Sequence, residues 1–141
     1  GGMAYALRKR GRDVRVVAAS ARRARVMWES LQAGRPVEMV EEETLANALS
    51  GGIELDNRVT FPLVRDFVDE HVLVDEDAIA GAMAWGWRTR RLLLEGGGAV
   101  ALAALLKGVP GLEEETRPAV VVLSGGNVSL DVLRRVAGDF S

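Results

Sequence analysis

Apolar and polar residues are arranged along this chain in blocks whose period changes, and each change marks an element. Met3-Ala4-Tyr5-Ala6-Leu7-Arg8-Lys9-Arg10-Gly11 has the pattern of a helix already under way, with Gly11 placed as its stop. Asp13-Val14-Arg15-Val16-Val17-Ala18-Ala19 is a short β-branched run ending in small residues, as in a buried strand of an α/β sheet. Arg22 to Ala33 supplies the next helix, with Val26, Trp28 and Leu31 as apolar positions and Gly34-Arg35-Pro36 as the break. Residues 37–58 hold no period: Glu41-Glu42-Glu43 gives way to Thr44-Leu45-Ala46-Asn47-Ala48-Leu49 and Ser50-Gly51-Gly52, which predicts a loop with at most a short helix.

Thr60-Phe61-Pro62 opens a helix in which Leu63, Val64, Phe67 and Val68 recur at three- and four-residue steps. His71 to Val74 is a strand, and Asp75-Glu76-Asp77 places carboxylates at the N-terminus of the helix after it, where exposed amides and the macrodipole favour them. Ile79, Met83, Trp87 and Leu94 form one stripe that carries this helix to about Glu95. Gly96-Gly97-Gly98 interrupts it, and Ala99 to Lys107 resumes as a small-residue helix ahead of Gly108 and Pro110. Pro118 to Leu123 contains Val120-Val121-Val122-Leu123, the strongest buried-strand signal in the chain, and exits through Ser124-Gly125-Gly126-Asn127. Ser129 is the N-cap of a terminal helix through Leu130, Leu133 and Val136. This alternation predicts an α/β domain with a mostly parallel sheet flanked by helices, one domain or most of one. The abrupt helical opening leads us to expect a part of a larger protein.

Composition narrows the functions. With 141 residues, 48% apolar and 27% charged, the chain has the balance of a soluble globular domain, and a formal charge of −2 gives no positive field for nucleic acid or an anionic membrane. No apolar run approaches the roughly 20 residues of a membrane-spanning helix, so a cytoplasmic location is the expectation. There is no cysteine, and His71 is the single histidine, which leaves no thiolate or histidine metal cluster.

Ligands of open α/β sheets sit beyond the carboxyl ends of the strands, so Ser124-Gly125-Gly126-Asn127 is the first candidate site. The glycines allow close backbone approach, Ser124 offers a hydrogen bond and Asn127 can fix the loop. An ordinary strand-to-helix turn explains these residues equally well. Glu95 before Gly96-Gly97-Gly98 is the second candidate, a carboxylate at a helix break. It is not a phosphate loop of the Walker type, since Ala99-Val100 stands where lysine and serine or threonine are required, and a hinge with a solvated Glu95 is as good a reading. The Gly51-Gly52 and Asp56-Asn57-Arg58 patch reads foremost as a bare loop, His71 as structural, and Trp85 and Trp87 as packing residues on opposite sides of one helix. Arg22-Arg23-Arg25, Arg88-Arg90-Arg91 and Glu41 to Glu43 read as solvated charge.

Taken in order, six segments resemble the carboxy-terminal part of the serine/threonine dehydratase family, which are fold type II, tryptophan synthase β-like pyridoxal-phosphate enzymes. They are Asp13 to Val17, Ser30 to Val37, Thr60 to Val64, Val72 to Ile79, Glu95 to Leu106 and Val121 to Val128. Ser50 to Arg58 and Glu95 to Gly98 look most like the dehydratase of hydroxyectoine utilisation. Other threonine dehydratases tend to carry Ala-Asp-Gly in place of Ala46-Asn47-Ala48, and proline in place of Gly96.

The resemblance implies a lyase that eliminates water and ammonia from a 2-amino-3-hydroxy compound: threonine, serine or a hydroxyectoine derivative. It implies pyridoxal 5'-phosphate as cofactor, with Ser124 on the pyridine nitrogen, Gly125, Gly126 and Asn127 shaping the loop, and Glu95 near the ring. It also implies a homo-oligomer for the full-length form. Gly1-Gly2 resembles only the downstream flank of the family's tetraglycine phosphate loop. Two departures matter. Family enzymes hold the cofactor on a lysine of their amino-terminal portion, and Lys9 and Lys107 do not match that motif, so no catalytic residue is expected here and the chain alone should be inactive. Ser20 falls where metal-binding members carry glutamate, so no metal site is expected. The alternative function is a non-catalytic module that binds a small molecule or another chain.

Overall fold

The computed structural model describes residues 1–112 and 116–138. Its elements are α1 (Gly2–Lys9), β1 (Val17–Ala21), α2 (Val26–Ala33), a 3-10 turn (Asn47–Leu49), α3 (Thr60–Phe67), β2 (Glu70–Val74), α4 (Glu76–Arg90), α5 (Gly96–Lys107) and α6 (Leu130–Ala137). β1 and β2 pair in parallel, from Val17 opposite Glu70 to Ala21 opposite Val74, and helices pack around this ladder.

β1 begins later than the β-branched run suggests, because a strand needs a partner and β2 provides one only from Glu70. Just ahead of the ladder, the Val16 carbonyl accepts the amides of Asp69 and Glu70, and Asp69 Oδ2 accepts the Val16 amide at 2.7 Å. α2 likewise starts at Val26, not Arg22, since the Ala24 amide turns back to the Ala21 carbonyl. Gly34 then ends α2 in the left-handed conformation, φ 69°. Asn57, two residues ahead of the N-cap Val59, closes the start of α3 from outside the helix: its Oδ1 accepts the Phe61 amide at 2.9 Å and the Thr60 hydroxyl at 2.8 Å.

Two boundaries near the centre differ from the pattern. α4 stops at Arg90, with Arg91 left-handed at φ 56°, and the Leu92 amide returns to the Gly86 carbonyl. Leu94 therefore lies beyond the stripe of α4 and folds back onto it, so that a Cβ at Gly86 would sit 3.1 Å from Leu94 Cδ1. The three glycines do not interrupt a helix; they form the first turn of α5. The core gathers between sheet, α4 and α5 around Val74, Ile79, Met83, Leu94, Ala99 and Val100. The alanines of α4 and α5, among them Ala82 and Ala103, let the two axes approach closely. Trp85 packs on this core and Trp87 on a second cluster of Ala84 of α4 with Leu133 and Ala137 of α6, so the two indoles serve different sides.

Residues 118–123 form no strand, contrary to their apolar pattern. The segment is extended with Val121 on the core, but Val120, Val122 and Leu123 are 89%, 47% and 38% exposed. No described strand offers its backbone a ladder, and extended backbone without a ladder is not a strand. Its start is held by Arg117, which donates to the carbonyl and carboxylate of Asp13. Among the described residues, no helix is long and apolar enough to cross a membrane.

Candidate cofactor site

The turn that follows the extended segment lies against the N-terminus of α5. Ser129 anchors its far side by capping α6, its Oγ accepting the Val132 amide at 3.3 Å, and the Val128 amide closes onto the Gly126 carbonyl at 2.9 Å. Gly125 has φ 88°, a conformation that side chains rarely adopt. The Glu95 amide donates to the Gly125 carbonyl at 3.3 Å.

Glycine makes the contact possible on both faces. A Cβ at Gly98 would lie 1.9 Å from the Ser124 carbonyl oxygen, one at Gly125 would lie 2.0 Å from Glu95 Oε1, and one at Gly126 would lie 2.9 Å from the Leu93 carbonyl oxygen. On the other side of α5, a Cβ at Gly96 would lie 2.0 Å from the Leu45 carbonyl oxygen. Three segments that are distant in sequence, 45–49, 93–98 and 124–126, thus meet at one helix end. The glycines are spent on contact between these segments, a use that the sequence alone does not separate from ligand approach.

Ser124 and Asn127 are exposed and Glu95 is half-buried. No described residue hydrogen-bonds to the side chains of Ser124, Asn127 or Glu95. The result is an open lip in which the Ser124 hydroxyl and the Glu95 carboxylate, on segments that meet at Gly98 and Gly125, have no hydrogen bond to a described residue. Gly97 faces the 3-10 turn, with Ala48 Cβ 3.4 Å from where its own Cβ would be.

Pattern reasoning missed how the 44–46 segment is held. Thr44 Oγ1 donates to Glu76 Oε1 at 2.6 Å, the Leu45 amide donates to Glu76 Oε2 at 2.7 Å, and Thr44 Oγ1 accepts the Ala46 amide at 3.1 Å. Glu76 looks in sequence like any first-turn carboxylate, and nothing local links it to Thr44.

The other candidates fall elsewhere. Lys107 ends α5, roughly 14 Å along the axis from Gly98 at 1.5 Å per residue, and its Nζ is 2.5 Å from Asp75 Oδ2. Arg22 Nε lies 2.5 Å from the other oxygen of Asp75. The hydrogen bonds from Lys107 and then Arg22 hold the Asp75 carboxyl down at about 2. Lys9 sits over the Tyr5 ring, 5.5 Å from its centroid. Asn57 is engaged at the start of α3, so part of the third patch has a structural duty. His71 Nε2 is 2.8 Å from Ser20 Oγ across the two strands, its Nδ1 is buried without a partner, and burial lowers its pKa.

The open lip offers a hydroxyl and a carboxylate on segments that meet at Gly98 and Gly125, with Lys9 and Lys107 held elsewhere, so the residues present can admit a polar ring. Residues 1–125 match the family described as "Pyridoxal-phosphate dependent enzyme". The chain is 39% identical over 133 residues to an L-threonine ammonia-lyase of Geobacter sulfurreducens, covering 94% of this chain and 32% of that protein. It is 30% identical over 137 residues to a catabolic L-threonine dehydratase of Escherichia coli, covering 97% and 41%. Among solved structures, maize serine racemase superposes with a TM-score of 0.83 at 30% identity, over 95% of this chain and 41% of that one. The fold and the match together place this chain in the pyridoxal-phosphate-dependent enzymes, and it belongs to that family. Within it, the relatives are of the threonine dehydratase and serine racemase kind, and the chain spans between 32% and 41% of the length of the three named here.

Proposed function

We propose that this chain is the carboxy-terminal part of a lyase that eliminates water and ammonia from a 2-amino-3-hydroxy acid, with the catalytic lysine carried by a portion outside these 141 residues. The carrying observation is the lip itself: Ser124 and Glu95, brought together by glycine contacts, with both lysines engaged elsewhere. The share of the relatives' length that the chain covers supports the division of labour.

In this reading Ser124 holds the ring nitrogen of the cofactor, Gly125, Gly126 and Asn127 shape the loop, and Glu95 lies beside the ring. Pyridoxal phosphate, when bound, supplies an electron-withdrawing ring that acidifies the α proton of an amino acid. A serine hydroxyl can donate to a neutral ring nitrogen without leaving a charge on it, so the sink is moderate, which suits loss of a β-hydroxyl. The exposed faces of Val120, Val122 and Leu123 are where strands of the lysine-bearing portion would complete the sheet. Substrates to compare are threonine, serine and hydroxyectoine-derived compounds, the last resting on the likeness of Ser50 to Arg58 and Glu95 to Gly98.

The test is titration of the isotope-labelled chain with pyridoxal phosphate, followed by amide chemical shifts. The expected result is shifts concentrated at Ser124 to Asn127 and Glu95 to Gly98, weakened roughly tenfold in affinity or more by Ser124→Ala, as loss of one hydrogen bond at a ligand predicts. Shifts elsewhere, or none at these loops, would overturn the assignment.

A further inference from the structure

We infer that Glu76 is a positioning residue for the cofactor lip: from the first turn of α4 it latches the 44–46 segment against Gly96 and so fixes the place of Glu95 against the Ser124 loop. The inference rests on the function proposed above for that lip, but its geometry stands apart from it.

Three observations carry it. The carboxylate is divided between two donors of one segment, with Oε1 on the Thr44 hydroxyl and Oε2 on the Leu45 amide. The Leu45 carbonyl, in the next peptide unit along, occupies the space of a Gly96 side chain. Gly96 follows Glu95 directly, and Glu95 in turn meets Gly125 twice, through its amide on the Gly125 carbonyl and through its carboxylate in the space of a Gly125 Cβ. Each link is a direct contact, so movement of the 44–46 segment has a short route to the loop that carries Ser124. Ala46, fully buried, pins the far end of the segment.

A first-turn carboxylate can also serve α4 alone through the helix dipole, and the two roles separate by substitution. Glu76→Ala removes both. Glu76→Gln removes the charge but keeps an oxygen for the Leu45 amide and an NH2 that can donate to Thr44 Oγ1. Asp77→Asn removes a neighbouring first-turn carboxylate that makes no contact with the segment.

Amide hydrogen exchange on the full 141-residue chain reads the outcome. In Glu76→Ala, exchange at Leu45 and at Glu95 should accelerate roughly tenfold or more relative to wild type. Amides of the α4 interior such as Met83 should keep their rates, Glu76→Gln should restore most of the protection, and Asp77→Asn should change nothing at Leu45 or Glu95. Unchanged rates at Leu45 or Glu95 in Glu76→Ala, or a uniform acceleration that includes Met83, would overturn the latch. The same variants titrated with pyridoxal phosphate keep the two readings apart. If wild type shows no shifts at Ser124 to Asn127, the cofactor assignment fails while the exchange result still decides the latch. If wild type binds and Glu76→Ala binds equally well despite faster exchange at Leu45, the latch does not position the lip.

Discussion

At the scale of single residues, the site is a matter of absent methyl groups. Gly97 and Gly98 are neighbours in the first turn of α5 with opposite surroundings, one facing Ala48 at ordinary contact distance and the other pressed on the Ser124 carbonyl. Gly98→Ala should therefore cost roughly 1–3 kcal/mol or more through overpacking. Gly97→Ala should lie within about 1 kcal/mol of wild type, gaining helix propensity in return for a small adjustment at Ala48. Urea denaturation of the two variants checks the contrast, and equal losses would show that the two positions do not differ as the contacts imply. His71 offers a second residue-scale outcome, since it is the one histidine and its ring signals are unambiguous. Burial should put its titration midpoint below the ordinary 6.5. Because the folded pKa lies below the unfolded one, its contribution to stability is complete above about 6.5 and fades as pH falls through the folded value. A midpoint at or above 6.5 in a ring NMR titration would contradict the buried, uncharged pairing with Ser20.

At the scale of elements, boundaries follow partners as much as patterns. Most helices were legible from their periodicity and stops, because Gly11, Gly34 and Ser129 are local signals for local geometry. The end of α4 was not, since the stripe continues to Leu94 while the chain turns at Arg91; an apolar residue that folds back looks the same in sequence as one that continues. The glycines announced a special place but not its nature: as the first turn of α5 they admit the Leu45 and Ser124 carbonyls, contacts made by residues far along the chain. The positions of Ser124 and Glu95 as neighbours were expected only through family resemblance, and Glu76 was unreadable because its partner is Thr44, on another element. The link from the end of β2 to the end of α5 through Asp75 belongs to this scale too. With its folded pKa at about 2 and its ordinary value at 3.8, Asp75 supports the fold fully above pH 3.8, and that support is lost as pH falls through about 2. In acid-denaturation curves Asp75→Asn should flatten the dependence in that window and leave the curve near neutrality parallel to wild type. An unchanged acid limb would mean that the exposed pairing with Lys107 and Arg22 does not contribute.

At the scale of the whole molecule, the proposed function gives this chain one end of a site and assigns the lysine to another portion. The best strand signal in the sequence gives extended backbone and no strand because no described strand offers residues 120–123 a ladder, and the proposed function assigns that partner to the lysine-bearing portion. The same proposal would account for a hydroxyl and a carboxylate at the lip with both lysines held elsewhere. Borohydride reduction of the chain with near-stoichiometric pyridoxal phosphate, followed by peptide mapping, tests this most directly. The account predicts that Lys9 and Lys107 both remain unmodified; a cofactor adduct fixed on either lysine would contradict it.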